Sequence, residues 1–227
     1  MKIIPHNIGV LFKKSKKILQ REGLSIFIKR AFLFLKSKIS FSYIKYYIYK
    51  KTLNKTDNFN LTPKITNITL KIISKSSEVD KLIVEGFNFS SYLNMQNLKE
   101  GLSKEAILFC VFVGRELVHT SWCAMSNTAA IYDPLFQRIN CQDVGYIGPC
   151  NTNYSFRGLG LYPYVLSQIC IFLKKKGKAK ALINTSKSNL ASRRGIIKAG
   201  FVISGEVRYL KLLLWEFWGE KKTKEVE

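Results

Sequence analysis

Acidic side chains are scarce in this chain: 15 Asp and Glu stand against 37 Lys and Arg, a formal net charge of +22 over 227 residues. Long apolar runs are missing too. Lys29, Arg30, Lys36 and Lys38 interrupt the most apolar stretch, so no segment reaches the roughly 18 to 20 apolar residues that span a bilayer. The N-terminus has neither a clean apolar h-region nor a small-residue cleavage site, which argues against a signal peptide and for a cytoplasmic protein that keeps its basic N-terminal stretch. Cysteine is sparse and odd in number: Cys110, Cys123, Cys141, Cys150 and Cys170 show no CxxC and no Cys/His ligand spacing. That excludes a zinc framework and a disulfide scaffold and leaves reduced, structural thiols with no metal. Internal repeats and low-complexity tracts are absent, as is any nucleic-acid recognition module, so nucleic acid is not the expected partner despite the charge.

What is there divides unevenly. Residues 1–55 hold 14 of the 37 basic residues and only Glu22 among the acids. In 8–21, Ile8, Leu11, Phe12, Ile18 and Leu19 share one helical face and lysines fill the rest; after Gly23, Leu24, Phe27, Ile28, Ala31, Leu35 and Ile39 form a second stripe, widened by Phe32, Leu33 and Phe34. Tyr43, Tyr46, Tyr47 and Tyr49 follow among lysines. A broad apolar face flanked by long cations and polar-tipped rings suits a helix lying in a headgroup layer, so residues 1–50 are expected to meet an anionic membrane surface peripherally, at its inner face. Packing of the same stripe on the rest of the protein or on a twin subunit is the alternative, and the sequence leaves the oligomeric state open. Residues 51–63, rich in Asn, Thr and Asp and ending in Pro63, read as a linker. The expected domains are thus 1–60, basic amphipathic helices and linker; 61–220, the main domain; and 221–227, a charged tail.

Within the main domain, 66–73 reads as a strand, 78–87 as a short helix capped by Ser76 or Ser77, and 95–102 as a second helix. Residues 107–113 and 117–125, split by Gly114, Arg115 and Glu116, predict a hairpin. A strand over 144–150, a helix over 158–176, a strand over 179–184, a helix over 189–199 and strands over 201–207 and 209–215 complete a mixed α/β pattern.

Between the strand and helix lies TNYSFRGLG, residues 152–160. Glycine at 158 and 160 permits a backbone turn and close approach of a ligand, and the first amides of the following helix are unpaired donors for an anion. The dinucleotide fingerprint fails because Pro163 stands at the third glycine position, and no GK[ST] follows. A pyrophosphate of the coenzyme A type is therefore the expected ligand.

TNYSFRGLG resembles the Q/R-x-x-G-x-G/A motif of the GNAT acetyltransferases, and NLASRRGIIKAGF, residues 189–201, is similar to that family's second signature. The resemblance covers about 66–217. It implies a GNAT-like fold, a central, mostly antiparallel sheet flanked by helices, preceded here by the basic amphipathic helices. It also implies an N-acetyltransferase in which a small-molecule amine attacks acetyl-CoA directly in a ternary complex, with no metal. Cys150, Asn151 and Thr152 would hold the pantetheine arm like an added strand, and Phe156, Arg157, Gly158, Leu159, Gly160, Leu161, Asn189 and Ser192 would complete the cosubstrate site. Asp143 is the expected general base with His119 as runner-up, and Ser192 a third candidate near the thiol end. Bland readings stand beside these: Asp143 as a turn residue, His119 as a packed core histidine, Asn189 as a helix cap, Arg193 and Arg194 as a solvated face, Trp122 and Tyr146 as core rather than acceptor pocket. Two departures are plain. Ser155 stands where the family has Gln or Arg, and Ile196 where many members have a tyrosine that protonates the leaving thiolate. An amino-sugar of cell-envelope polysaccharide synthesis is the expected acceptor; the alternative is a non-catalytic module that binds acyl-CoA or a membrane.

Overall fold

In a computed structural model, the structure describes residues 24–25, 28–29, 41–53, 61–89, 94–103, 105–129, 139–212 and 215–222. The elements run β1 (Phe41–Thr52), β2 (Ile68–Ile73), α1 (Ser76–Val84), α2 (Met95–Ser103), β3 (Ile107–Val113), β4 (Glu116–Ala124), β5 (Val144–Thr152), α3 (Leu161–Lys175), β6 (Lys180–Ser186), α4 (Leu190–Lys198), β7 (Val202–Leu212) and β8 (Trp215–Lys222). Strand neighbours follow the order β2-β3-β4-β5-β6-β1-β7-β8. The pairs β2–β3, β3–β4, β4–β5 and β1–β6 are antiparallel, whereas β5 and β6 run parallel. This is the mixed, largely antiparallel sheet with flanking helices that the sequence predicts.

β3 shows why its sequence, ILFCVFV, is apolar without alternation. Ile107, Phe109 and Val111 join one core with Val165, Leu166, Ile169 and Leu173 of α3. Leu108, Cys110 and Phe112 join a second core with Val79 and Leu82 of α1 and Leu98 and Leu102 of α2. A strand covered on both faces has no side that can be polar. Gly114, at φ +58°, makes the β3–β4 turn, a left-handed conformation glycine adopts without penalty.

The chain forms two compact units, Lys45–Val207 with Glu220–Glu227 and, separately, Met1–Ile44 with Arg208–Gly219. Several boundaries differ from those expected. Residues 41–52 are a strand, registered against β6 from Tyr46↔Ser186 to Thr52↔Lys180, and not part of a helical appendage. Their aromatic and β-branched content, free of Gly and Pro, favours this conformation. β7 runs through Arg208 as one strand, because no turn residue interrupts it there. Helix α1 begins after Lys75, and its cap is supplied by Glu78, whose carboxylate accepts from the N–H groups of Ser74 (2.7 Å) and Lys75 (3.2 Å), rather than by Ser76 or Ser77. The expected helix over 8–21, nearly all of that over 23–39, most of the linker and most of the tail lie outside the described residues. Among the described residues no helix is long and apolar enough to cross a membrane.

Candidate active site at the divergence of β5 and β6

Parallel pairing of β5 with β6 runs from Val144↔Lys180 to Ile147↔Ile183 and then stops. Beyond it β5 continues through Gly148 (φ +138°) and a cis Gly148–Pro149 peptide, staying on β4 through Ser121↔Cys150, Thr120↔Asn151 and His119↔Thr152. β6 continues on β1 through Asn184↔Ile48, Thr185↔Tyr47 and Ser186↔Tyr46. The two parallel strands therefore separate, and among the described residues the pairing of β5 with β6 does not extend to 150–152.

The chain leaves that edge into the glycine loop. Asn153 caps a short 3₁₀ turn over Tyr154–Phe156, its side chain accepting from the Ser155 N–H. Gly158 and Gly160 then lie at φ +79° and +80°, and Gly160 is the residue before α3. Both positions need the left-handed region, which glycine occupies freely. The Lys64 N–H donates to the Leu159 carbonyl at 2.7 Å, so the end of the expected linker packs on the loop. The amide side is left open: among the described residues no protein acceptor takes the N–H groups of Gly158, Leu159, Gly160, Leu161 or Tyr162. A cluster of unpaired donors at a helix start is a strong anion site.

The other predicted cosubstrate residues divide by position. Leu161 is buried in the core, and Phe156 is half-buried and packs against that core. Arg157 turns back, its Nε donating to the Thr152 carbonyl at 3.2 Å and its guanidinium lying over the Tyr154 ring. Asn189 caps α4, its side chain accepting from the Ser192 N–H at 3.1 Å. Arg193 donates to the Tyr49 hydroxyl and the Lys187 carbonyl, tying α4 to β1 and to the end of β6. Tyr146 is core, and its hydroxyl accepts from the Asn184 side chain; Trp122 packs between two cores and above Gly101.

His119 is fully buried, with Nδ1 2.7 Å from Thr152 Oγ1 and Nε2 2.8 Å from Ser121 Oγ. Burial lowers its pKa to about 3, so the imidazole is neutral at physiological pH. It is placed to fix the Thr152 hydroxyl. Asp143 is not brought to this place: it is exposed before the first residue of β5, and its carbonyl accepts from the N–H groups of Ala179 and Lys180. The nine residues of β5, at about 3.3 Å each, put roughly 30 Å between it and Thr152.

One residue escaped the sequence reading. Tyr162, in the first turn of α3, has its hydroxyl 3.3 Å from Ser192 Oγ in the first turn of α4, and its ring centroid is 6.0 Å from that of His119. Burial above all, with the Cys150 thiol beside it, raises the phenol pKa well above its ordinary value. Cys150 is half-buried, and the other four cysteines are buried and unbridged. Among the described residues no group of His, Cys, Asp and Glu is arranged to hold a metal ion.

No protein-family model matches the chain, and no curated protein matches it in sequence. Solved structures do match. An acetyltransferase of the GNAT family from Colwellia psychrerythraea aligns with a TM-score of 0.48 and 16% identity, over 80% of this chain and 61% of that one. A GCN5-related N-acetyltransferase from Sphaerobacter thermophilus aligns with a TM-score of 0.48 and 14% identity, over 84% of this chain and 55% of that one. A Drosophila protein aligns with a TM-score of 0.50 and 8% identity, over 83% of this chain and 58% of that one. The chain thus spans 55% to 61% of the length of these structures. At such identities the likeness is one of fold alone.

Proposed function

We propose that this protein is an acyltransferase that moves an acetyl group from acetyl-CoA to a small-molecule amine. The observation that carries this reading is the set of unpaired amides at 158–162 beside a β5 edge that has lost its parallel partner. A diphosphate suits the first, and an amide-bearing pantetheine arm suits the second as an added strand at 150–152. No described acceptor takes those amides, so the donors present suit a diphosphate.

In this reading the loop amides hold the diphosphate and the backbone of Cys150, Asn151 and Thr152 aligns the arm, so that the amine meets the thioester carbonyl already oriented. The amides and hydroxyls at the same edge polarise the carbonyl. His119 supports Thr152 and does not titrate near neutrality. The remoteness of Asp143 argues against it as base, and the amine would shed its proton to water in the cleft. Calorimetric titration with coenzyme A tests binding. Release of free thiol from acetyl-CoA in the presence of a panel of amino-sugars tests transfer and separates it from the alternative, a non-catalytic acyl-CoA-binding module.

An amino-sugar of cell-envelope polysaccharide synthesis remains the proposed acceptor, and residues 1–50 the proposed contact with an anionic membrane. The motif for the second is the basic amphipathic pattern, in which each Lys or Arg near an anionic leaflet adds about 1 kcal/mol. Flotation with phosphatidylserine vesicles, comparing the full chain with one in which Lys13, Lys14, Lys16 and Lys17 are changed to Gln, tests it. Equal flotation of both would remove the electrostatic part of the argument.

A further inference from the structure

Charge is segregated along this chain: residues 144–205 hold ten Lys and Arg and no Asp or Glu. Helix α4, inside the unit Lys45–Val207, carries three of those cations and is apolar on two sides. Its inner side, Ile196 and Ala199, is buried in the main core. On its outer side Leu190 and Ile197, two turns apart and so on one face, are 54% and 53% exposed. Exposed Arg194 lies between them and exposed Lys198 follows. Among the described residues no acid pairs with Arg194 or Lys198. The turn at Gly200 then leads to Val202, 62% exposed. Lys51 fixes where this surface lies: it pairs with Ala181 at the start of β6, and its Nζ donates to the Ala199 carbonyl at 2.8 Å. The end of α4 therefore shares one end of the sheet with the turn between α3 and β6, where Lys175, Lys176 and Lys180 are exposed. Asp143, whose carbonyl accepts from the N–H groups of Ala179 and Lys180, is an acid at the border of this end.

We propose that the outer face of α4 and the turn after it dock on an anionic lipid bilayer, a contact distinct from that of residues 1–50 and independent of the acyl-transfer reading. Charge alone suits a nucleic acid equally, and the apolar members decide between the two. A phosphate backbone offers nothing to Leu190, Ile197 and Val202. In a headgroup layer their side chains enter the acyl boundary, while Arg194 and Lys198 keep their charged ends at the lipid phosphates. The lysines of the α3–β6 turn add a longer-range attraction that salt screens. Two apolar side chains on a helix of nine residues are too few to hold a protein on neutral lipid, so the contact requires the anionic headgroup.

The test uses the full chain and phosphatidylcholine vesicles made with and without phosphatidylserine. Arg194→Gln with Lys198→Gln should weaken partitioning onto the phosphatidylserine vesicles about 25-fold, at about fivefold for each cation. Leu190→Ser with Ile197→Ser removes no charge and alters side chains that face water, and it should weaken partitioning about tenfold or more. An environment-sensitive dye on Ile197→Cys should brighten and shift to the blue on the phosphatidylserine vesicles, above the background of the parent carried through the same labelling. Equal partitioning of the parent and both double variants overturns the inference, as does a dye that stays in water. Loss with the glutamine pair alone marks a surface for a polyanion such as nucleic acid and overturns it. A dimer in solution that the serine pair dissolves overturns it in favour of a second copy. Binding that falls only when Lys13, Lys14, Lys16 and Lys17 are changed leaves the contact of residues 1–50 standing and overturns this one.

Discussion

Replacing Gly158 with valine puts a number on the proposed anion-binding loop. A Cβ built at Gly158 meets no atom within 4 Å, so the first carbon of a side chain has room and the main cost is conformational. At φ +79° an L-residue pays about 1–2 kcal/mol, and a β-branched one belongs at the upper end. The strain has two outlets. If the loop keeps its shape, stability falls by that amount, which for a domain of this size is roughly 2–8 °C in Tm. If the loop relaxes to negative φ, the fold keeps its stability but the amides at 158–162 turn away, and coenzyme A affinity falls about 5- to 30-fold. The sum of the two losses should therefore be about 1–2 kcal/mol at one site and about twice that with Gly160→Val added, since that Cβ meets Pro63 Cα at an ordinary 3.5 Å. Urea unfolding and calorimetric titration, run on the same samples, measure both. Gly158→Asn is the control, because Asn tolerates the left-handed region and should lose much less. A double valine variant with parental stability and parental affinity would refute the account of this loop.

Other outcomes are expected elsewhere. His119 titrates at about 3 when folded and near 6.5 when unfolded; its depressed pKa means stability is whole above pH 6.5 and is lost as pH falls from 6.5 toward 3. Between pH 7 and pH 5 the parent should therefore lose about 2 kcal/mol more than His119→Gln in urea unfolding, and equal losses would show that His119 is not buried and neutral. Lys178 donates to the carbonyls of Met125 (2.9 Å), Cys141 (2.7 Å) and Gln142 (2.9 Å), fastening the end of β4 to the approach to β5. Lys178→Met should cost about 2–3 kcal/mol in urea unfolding; unchanged stability would deny it that role. Gly195→Ala should gain up to about 1 kcal/mol of helix propensity yet lose more through displacement of Tyr162, for a net loss in Tm, and a higher Tm would mean that the ring moves freely.

The parts legible in the sequence are those whose pattern is local. The hairpin of β3 and β4, the long amphipathic α3 and the cap of α4 at Asn189 each depend on neighbours in the chain, and each lies within a few residues of where periodicity and turn residues put it. The glycine loop was legible for the same reason, since a left-handed turn leaves a mark on residue type. What escaped depends on distant pairing. Nothing in Tyr46, Tyr47 and Tyr49 says that they will lie against 183–186, so an aromatic, basic strand reads as a membrane-facing helix. Tyr162 was hidden in the same way, because its partner Ser192 is thirty residues away and only the packing of two helix starts joins them. Asp143 misled for the opposite reason: it adjoins the motif strand in sequence but at the end away from the loop.

The position of β1 bears on how this protein is made. One of its neighbouring strands, β6, carries the hydrogen-bonding partners of residues 46–52, and Arg193 reaches Tyr49 across a separation of 144 residues. At about 5–20 residues per second of synthesis, the ribosome needs roughly 7 to 30 s after Tyr49 to deliver what holds it. Until then a strand rich in rings and lysines is translated but homeless, and its charges are what keep it from pairing with a neighbour's.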